Sequence, residues 1–345
     1  MTDGLVASKP HPVVAMDVAR AAGVSQKTVS RVINGDPHVS NEVRERVNGA
    51  IVALGYRPNR AARNLVLGRS HTIGVLSVGS TDFGPSSLMV AAESAIRSAR
   101  YAMSVINTFE DELETITRSL RALVDQGVDG IVVNEPAGAF ALDAGVLGDL
   151  PVLSLSGSYG ISTSEIVVDA DQVSGARSAT EHLLGLGHRT VHHIAGPLSW
   201  WSARLRLESW RSSLQAAGAP EPAVERGDWT ARSGYELGAR LAADPDVTAV
   251  FAANDQMAIG LLRAFEEAGR DVPGDVSVVG FDDVPEAAYL SRALTTVRQD
   301  LAYLATFGVG MLIDAIENPR PQDRRENVPV ELVIRETTAA PPPRR

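Results

Sequence analysis

Two groups of side chains in this 345-residue chain could do chemistry, and the two chemistries differ. Near the N-terminus, Gln26, Lys27 and Arg31 share a short polar segment with Ser25, Thr28 and Asn34. Amide and guanidinium groups of this kind can meet the edges of base pairs in a major groove. Far along the chain stand Ser202 with Arg206, then Trp229, Asn254 and Asp282. A guanidinium in a cleft can hold two adjacent hydroxyls at once, and an indole can lie on the apolar face of a sugar ring. Asn and Asp placed just after a strand can exchange hydrogen bonds with hydroxyls.

The first group needs a helix to present it. Val18, Ala19 and Ala22 fall at helical spacing, and Gly23 stands where a left-handed residue ends a helix. Ser25 then caps a second helix over residues 26–34, with Val29, Val32 and Ile33 facing inward. Two short helices joined through Gly23-Val24-Ser25 make a helix-turn-helix pattern. Ser40 caps a third helix over residues 41–54, where Val43, Val47, Ile51 and Leu54 repeat at core spacing. A generic three-helix bundle with solvated polar groups is the plain alternative. Charge favours nucleic acid: residues 1–69 hold ten Lys/Arg and five Asp/Glu, a balance of +5 inside a chain whose net charge is −10. A basic head on an acidic body suits a phosphate-facing module joined to one that is not.

The run "DVARAAGVSQKTVSRVINGDPHVSNEVRERVNGAIVALGYRPNRAAR", residues 17–63, resembles the LacI/GalR family of bacterial repressors. The resemblance implies that Gln26, Lys27 and Arg31 read bases, while Ser25, Thr28, Asn34 and His38 touch phosphate. Pro58 breaks the preceding helix, and the alanine-rich segment after it is marginal as an isolated helix. The resemblance makes residues 59–68 a hinge helix that folds on DNA. Asn59 and Arg60 belong to its DNA contacts, and Leu65 is its wedge into the minor groove. A plain linker whose leucine packs on the body is the alternative.

The second group needs an α/β scaffold. Apolar runs at 73–78, 103–106, 130–133 and 152–155 alternate with helical stretches, as in a parallel sheet with crossover helices. A second set follows at 166–168, 191–194, 247–251 and 276–279, with helices over 174–186, 203–217 and 256–268. Two such sheets place a ligand cleft at the C-terminal ends of their strands. The resemblance extends to about Thr338 and implies a lambda-repressor-like head on a two-lobed, periplasmic-binding-protein-like core of parallel sheets. The expected division is 13–58 for the head, 59–68 for the hinge and 70–338 for the core. Within the core, 70–169 with 298–326 form the N-lobe, and 171–297 with 327–336 the C-lobe. The chain then crosses between lobes near Ala170, Val297 and Asn327. The last segment, 339–345, is a disordered tail without a leucine heptad, so a homodimer on a pseudo-palindromic operator is expected.

Beyond the family pattern, "AGPLSWWSARLRLESW" and "ERGDWTARSGYE" resemble the pocket segments of a sugar-responsive member. Ser202, Arg206, Trp229, Asn254 and Asp282 are thereby implied to contact the effector. Three departures stand out: Ser156 in place of an acidic sugar ligand, Val78 in place of a serine, and Phe83 in place of a histidine at the pocket mouth. Loss of a carboxylate and a hydroxyl changes which ring hydroxyls can be satisfied. A galactoside, another glycoside or a disaccharide all remain open. On the plainer side, Asp255 and Asp283 are expected as helix caps, and Trp200 and Trp201 divide between packing and the pocket rim. His192 and His193 alternate faces of one strand, so no joint metal site is expected. His182 and His188 belong to helix packing and termination.

Enzyme classes find little here. The chain has no cysteine, no GxSxG elbow, no P-loop, no HExxH and no GxGxxG after its first strand. No cofactor and no metal are expected. A sugar-binding protein or a sugar-acting enzyme would account for the body but not the head. Within the repressor class, a purine or phosphosugar co-repressor is the alternative. With no apolar leader and no long uncharged apolar run, the expected location is cytoplasmic, with the nucleoid.

Overall fold

The computed structural model describes residues 13–33, 35–56, 69–78, 82–108, 112–134, 147–155, 157, 165–319 and 324–343. It divides into two compact units, residues 1–70 and 71–345.

The first unit consists of α1 (Ala15–Ala22), α2 (Gln26–Ile33) and α3 (Asn41–Leu54). Its core gathers Val18, Ala19 and Ala22 with Val29, Val32, Val39 and Val47. Gly23 closes α1 at φ +65°, a backbone shape that costs a glycine little. The Ser25 hydroxyl accepts from the Thr28 N–H at 3.1 Å, and the Ser40 hydroxyl from the Val43 N–H at 3.4 Å, so both expected caps form. Leu54 departs from expectation, being 36% exposed. At 14 residues against eight in α1 and in α2, α3 outlasts the helices it packs on.

The second unit begins with β1 (Thr72–Val78), α4 (Phe83–Ser98), β2 (Ala102–Thr108), α5 (Leu113–Asp125), β3 (Gly130–Asn134), β4 (Val152–Leu155) and β5 (Glu165–Ala170). It continues with α6 (Gln172–Gly185), β6 (His192–Ala195), α7 (Trp201–Ala216), β7 (Glu225–Arg226), α8 (Ala231–Ala242), β8 (Ala249–Ala252), α9 (Asp255–Glu267), β9 (Ser277–Asp282) and β10 (Thr295–Arg298). The chain ends through α10 (Leu301–Glu317), β11 (Arg324–Val328) and β12 (Glu331–Val333). One sheet runs β11-β5-β4-β3-β1-β2 and the other β12-β10-β9-β8-β6-β7. Every pairing is parallel except β10 with β12.

Strands β3, β4 and β5 are buried along their whole length, as central parallel strands covered on both faces must be. Ile73, Leu88 and Leu312 belong to one lobe's core, and Phe265, Leu261 and Val278 to the other's. Each such side chain contributes about 1.5–3 kcal/mol by leaving water.

The chain passes between lobes at Asp171, at Gln299–Asp300 and after Val328. The first and third passages touch, since the Asp171 N–H donates to the Val328 carbonyl at 2.8 Å. The lobe limits differ from expectation by a few residues. Arg298 pairs with Asp282 in the second sheet, whereas Asn327 and Val328 pair with β5 in the first. Strands β10 and β11 were not foreseen because they are short and mostly polar, and β12 because it spans only three residues. β11, at a sheet edge, exposes its middle three residues. The tail also departs: the Ala339 N–H donates to the Ser277 hydroxyl, and its carbonyl lies 3.0 Å from both Ser277 Oγ and His188 Nε2. Among the described residues, no helix is long and apolar enough to cross a membrane.

Candidate functional site

The head presents one polar face. Gln26, Lys27 and Ser30 on α2 are exposed, while Val29 and Val32 hold the opposite face in the core. Ser25 Oγ also lies 2.9 Å from Thr28 Oγ1, so two of the expected phosphate contacts brace each other. Arg31 carries a partner the sequence did not announce. Its Nε–H donates to Asp36 Oδ2 at 2.8 Å, and Asp36 Oδ1 accepts from the His38 N–H at 2.9 Å. The Arg31 hydrogen bond, seconded by the His38 N–H, holds the Asp36 carboxyl far below the usual carboxylate range. The Asp36 carbonyl accepts from Arg44 Nη2 at 2.8 Å, which anchors the loop to α3. Asn34, Asn59, Arg60 and Leu65, with the whole expected hinge at 59–68, lie outside the described residues.

In the second unit a cleft of about 460 Å³ opens where both sheets end. From the first lobe it takes Asp82, Phe83, Gly84 and Pro85 at the start of α4, with Leu88 one turn on. From the second it takes Trp200, Ser202 and Arg206 after β6, Trp229 after β7, Asn254 after β8 and Asp282 at the end of β9. Gln172, Gln299 and Leu301, beside the crossings, complete the lining. Six of the seven expected effector residues thus converge on one cleft. The seventh, Ser156, lies outside the described residues.

Arg206 is 4% exposed on the inner face of α7. Its guanidinium carbon lies 3.7 Å from the Phe281 ring centroid, a cation held flat on an aromatic face. Nε donates to Gln172 Oε1 at 2.8 Å, Nη1 donates to the Ala253 carbonyl, and Nη2 stands 3.8 Å from Asp282 Oδ1. Arg204 points elsewhere, as expected from their two-residue spacing, and donates to the Leu198 and Ser199 carbonyls.

Asp282 is buried with φ +116°, an unusual conformation for a residue with a Cβ. Gln299 Nε2 donates to its Oδ1 at 2.7 Å. Burial pushes its carboxyl up to about 6, outweighing the nearby Arg206 and the Gln299 hydrogen bond. Gln172 and Gln299 join this chain: Gln172 Nε2 donates to Gln299 Oε1 at 3.1 Å and to Asp169 Oδ1 at 3.3 Å. Arg206, Gln172, Gln299 and Asp282 therefore close a polar ring on the cleft floor. Periodicity could not reveal the two glutamines, but both fall just after strands at lobe crossings.

Trp229 has φ +73°, and the Asn254 amide fixes it by donating to its carbonyl at 2.9 Å. Asn254 Oδ1 meanwhile accepts from the Met257 N–H at 3.0 Å, so this residue both caps α9 and lines the cleft. Asp255 and Asp283, expected as caps, do other work. Asp255 is buried and accepts from the Thr296 hydroxyl at 2.5 Å and the Val284 N–H at 2.9 Å. Asp283 pairs with Arg298 at 2.6 Å and with Arg335 at 2.5 Å, tying β10 and the segment after β12 to β9. Trp200 lines the cleft, with its ring edge-on to Trp229 at 5.9 Å and 76°, whereas Trp201 is 37% exposed outside the lining. His193 stacks between Trp210 and Phe251 in the core, and burial drives its pKa down to about 4. His182 and His188 bond to Thr338 and to Thr248 respectively, as packing residues.

A small polar-lettered helix on one unit and a two-lobed cleft on the other define a ligand-responsive DNA-binding regulator. Residues 16–59 match the profile of bacterial regulatory proteins of the lacI family, and residues 180–338 that of a periplasmic binding protein-like domain. The chain is 36% identical to the lactose operon repressor of Escherichia coli (strain K12) over 96% of its length and 92% of that protein's. It is 33% identical to the ribose operon repressor of Escherichia coli (strain K12), covering 90% of this chain and 94% of that one. Among solved structures, the lac repressor dimer bound to operator and the anti-inducer ONPF superposes with a TM-score of 0.84 at 34% identity. That match covers 95% of this chain and all of the other. The chain belongs to the lacI family of bacterial regulatory proteins, and it is a transcriptional regulator, not an enzyme.

Proposed function

We propose that the chain is a homodimeric repressor that binds a pseudo-palindromic operator and releases it when a small sugar or glycoside enters the cleft. The observation that carries the sugar reading is the cleft floor. Arg206, Asp282 and Asn254 are each less than 8% exposed, offer both donors and acceptors, and line the cleft together with Trp229. Directional polar groups beside an aromatic plane suit a ring that is hydroxylated at its edge and apolar on its face.

The Arg206–Gln172–Gln299–Asp282 ring gives the effector a route to the rest of the molecule, because two of its members sit at lobe crossings. An effector that prefers one disposition of the lobes shifts operator affinity by its differential binding free energy, typically about 1–3 kcal/mol. Residues 13–58 would read the operator through Gln26, Lys27 and Arg31, with residues 59–68 as the hinge. The protein would act in the cytoplasm, on the nucleoid.

Thermal-shift measurements on the full chain with galactosides, glucosides, pentosides and purines test the reading. A sugar that raises Tm and also lowers operator affinity supports it. A purine that does so while no sugar binds overturns it.

A further inference from the structure

Nucleophilic amines are scarce in this chain. Thirty of its thirty-two Lys/Arg residues are arginine, which leaves Lys9 and Lys27. A guanidinium stays protonated and resists acylation, whereas a lysine amine accepts an acyl group once it has shed its extra proton. Lys9 lies outside the described residues, so Lys27 is the one lysine among them. It stands second in α2, exposed on the polar face of the head. Among the described residues it has no hydrogen-bond or ion-pair partner. Three neighbours on that face are already engaged: the Ser25 and Thr28 hydroxyls lie 2.9 Å apart, and the Arg31 Nε–H donates to Asp36. Lys27 therefore offers an unpaired primary amine on the surface assigned above to DNA.

We propose that Lys27 is an acylation site, where acyl transfer from an acyl phosphate weakens operator binding whether or not the effector is bound. This rests on the reading of α2 as the helix that meets the operator. In the transfer the unprotonated Nζ attacks the acyl carbonyl carbon. A C–N bond forms, the bond from that carbon to the phosphate oxygen breaks, inorganic phosphate leaves, and the surplus amine proton passes to water. Arg31 stands one helical turn on, so the same face draws a phosphoanion toward the amine. The product carries one N–H in place of three and no charge, so it loses both the bidentate grip on a guanine edge and the pull on phosphate. The helix itself loses nothing, because a cation in the first turn opposes the helix dipole.

The test uses the full chain and a DNA duplex that the untreated chain selects from a random pool. The protein is treated with acetyl phosphate, its modified residues are mapped by peptide mass spectrometry, and its affinity for the duplex is measured by gel shift. Lys27 should carry the acetyl group, and affinity should fall by about tenfold while Tm is unchanged. Lys27→Arg, compared with itself before and after the same treatment, should lose no affinity. Lys9→Arg should lose as much as the wild-type protein. An unmodified Lys27, an unchanged affinity once Lys27 is modified, or an equal loss in Lys27→Arg overturns the acylation site while leaving the DNA reading intact. If the untreated chain selects no duplex, the DNA reading itself fails.

Discussion

Arg206 donates its Nε–H to Gln172 Oε1 across 2.8 Å, and so ties the floor of the cleft to the first helical residue after a lobe crossing. Both groups are buried, and the bond involves a charge, which makes it one of the stronger hydrogen bonds a protein holds. Gln172→Leu should therefore weaken effector binding by about tenfold and destabilise the core by roughly 1–3 kcal/mol. Operator binding without effector should survive. Titration with effector, urea unfolding and a gel-shift assay read the three effects, and an unaltered effector affinity would count against the polar ring.

The Arg31–Asp36 pair leads to a prediction on the DNA side. Asp36 holds Arg31, the arginine of α2 proposed to read bases, in place in the absence of DNA, and the His38 N–H holds Asp36. Asp36→Ala should lower specific operator affinity and narrow the gap between specific and nonspecific binding. Arg31→Ala should narrow it further while the effector-induced thermal shift persists. Competition gel shifts with operator and scrambled DNA check both. Unchanged selectivity in Arg31→Ala would remove Arg31 from the reading set.

Acidity supplies a third test. The carboxyls of Asp169 and Asp282 both sit near pKa 6, raised mainly by burial. A raised folded-state pKa means that the native protein holds protons that the unfolded chain has given up, between about pH 4 and 6. Their contribution to stability is fullest below the unfolded pKa and is lost as pH rises through 6. Buried His193, with its pKa lowered, acts in the opposite sense, so the test is a comparison. The Tm of the wild-type protein relative to that of Asp282→Asn, both without effector, should fall between about pH 4 and 6. If hydroxyls donate to ionised Asp282, effector affinity should weaken as pH drops through 6. A flat affinity profile would show that the carboxylate makes no such bond.

Close packing gives a fourth. A Cβ on Gly196 would collide with the six-membered ring of Trp229, so Gly196→Ala must displace that indole. Effector binding should fall at least tenfold, with a core-packing cost of about 1–3 kcal/mol. Operator binding should be retained. Titration beside thermal unfolding separates the two effects.

Much of this was legible in advance, for reasons that differ by region. The head could be read because Gly23, Ser25 and Ser40 act within a few residues of themselves, through a left-handed turn and two caps. The buried strands could be read because full burial demands unbroken apolar runs. Strand β11 could not, since a half-solvated edge strand carries Arg, Arg and Glu without penalty. Gln172 and Gln299 were invisible for another reason: each earns its place through partners more than 30 positions away or on another element, and spacing along the chain does not encode that. Asp255 and Asp283 were misjudged alike, because Asp after a strand is as able to bind Thr296 or Arg335 as to cap the next helix.

The order of the strands has a consequence for synthesis. Both sheets take an outer strand from near the end of the chain, β11 beside β5 and β12 beside β10. On the ribosome the head can fold early, but neither lobe can complete its hydrogen-bonded border until residues 324–333 have emerged. Until then β5 and β10 present open edges, the surfaces through which nascent chains pair wrongly with one another. A transcript cut before Arg324 would yield a folded head on an unfinished core, able to reach DNA and unable to answer its effector.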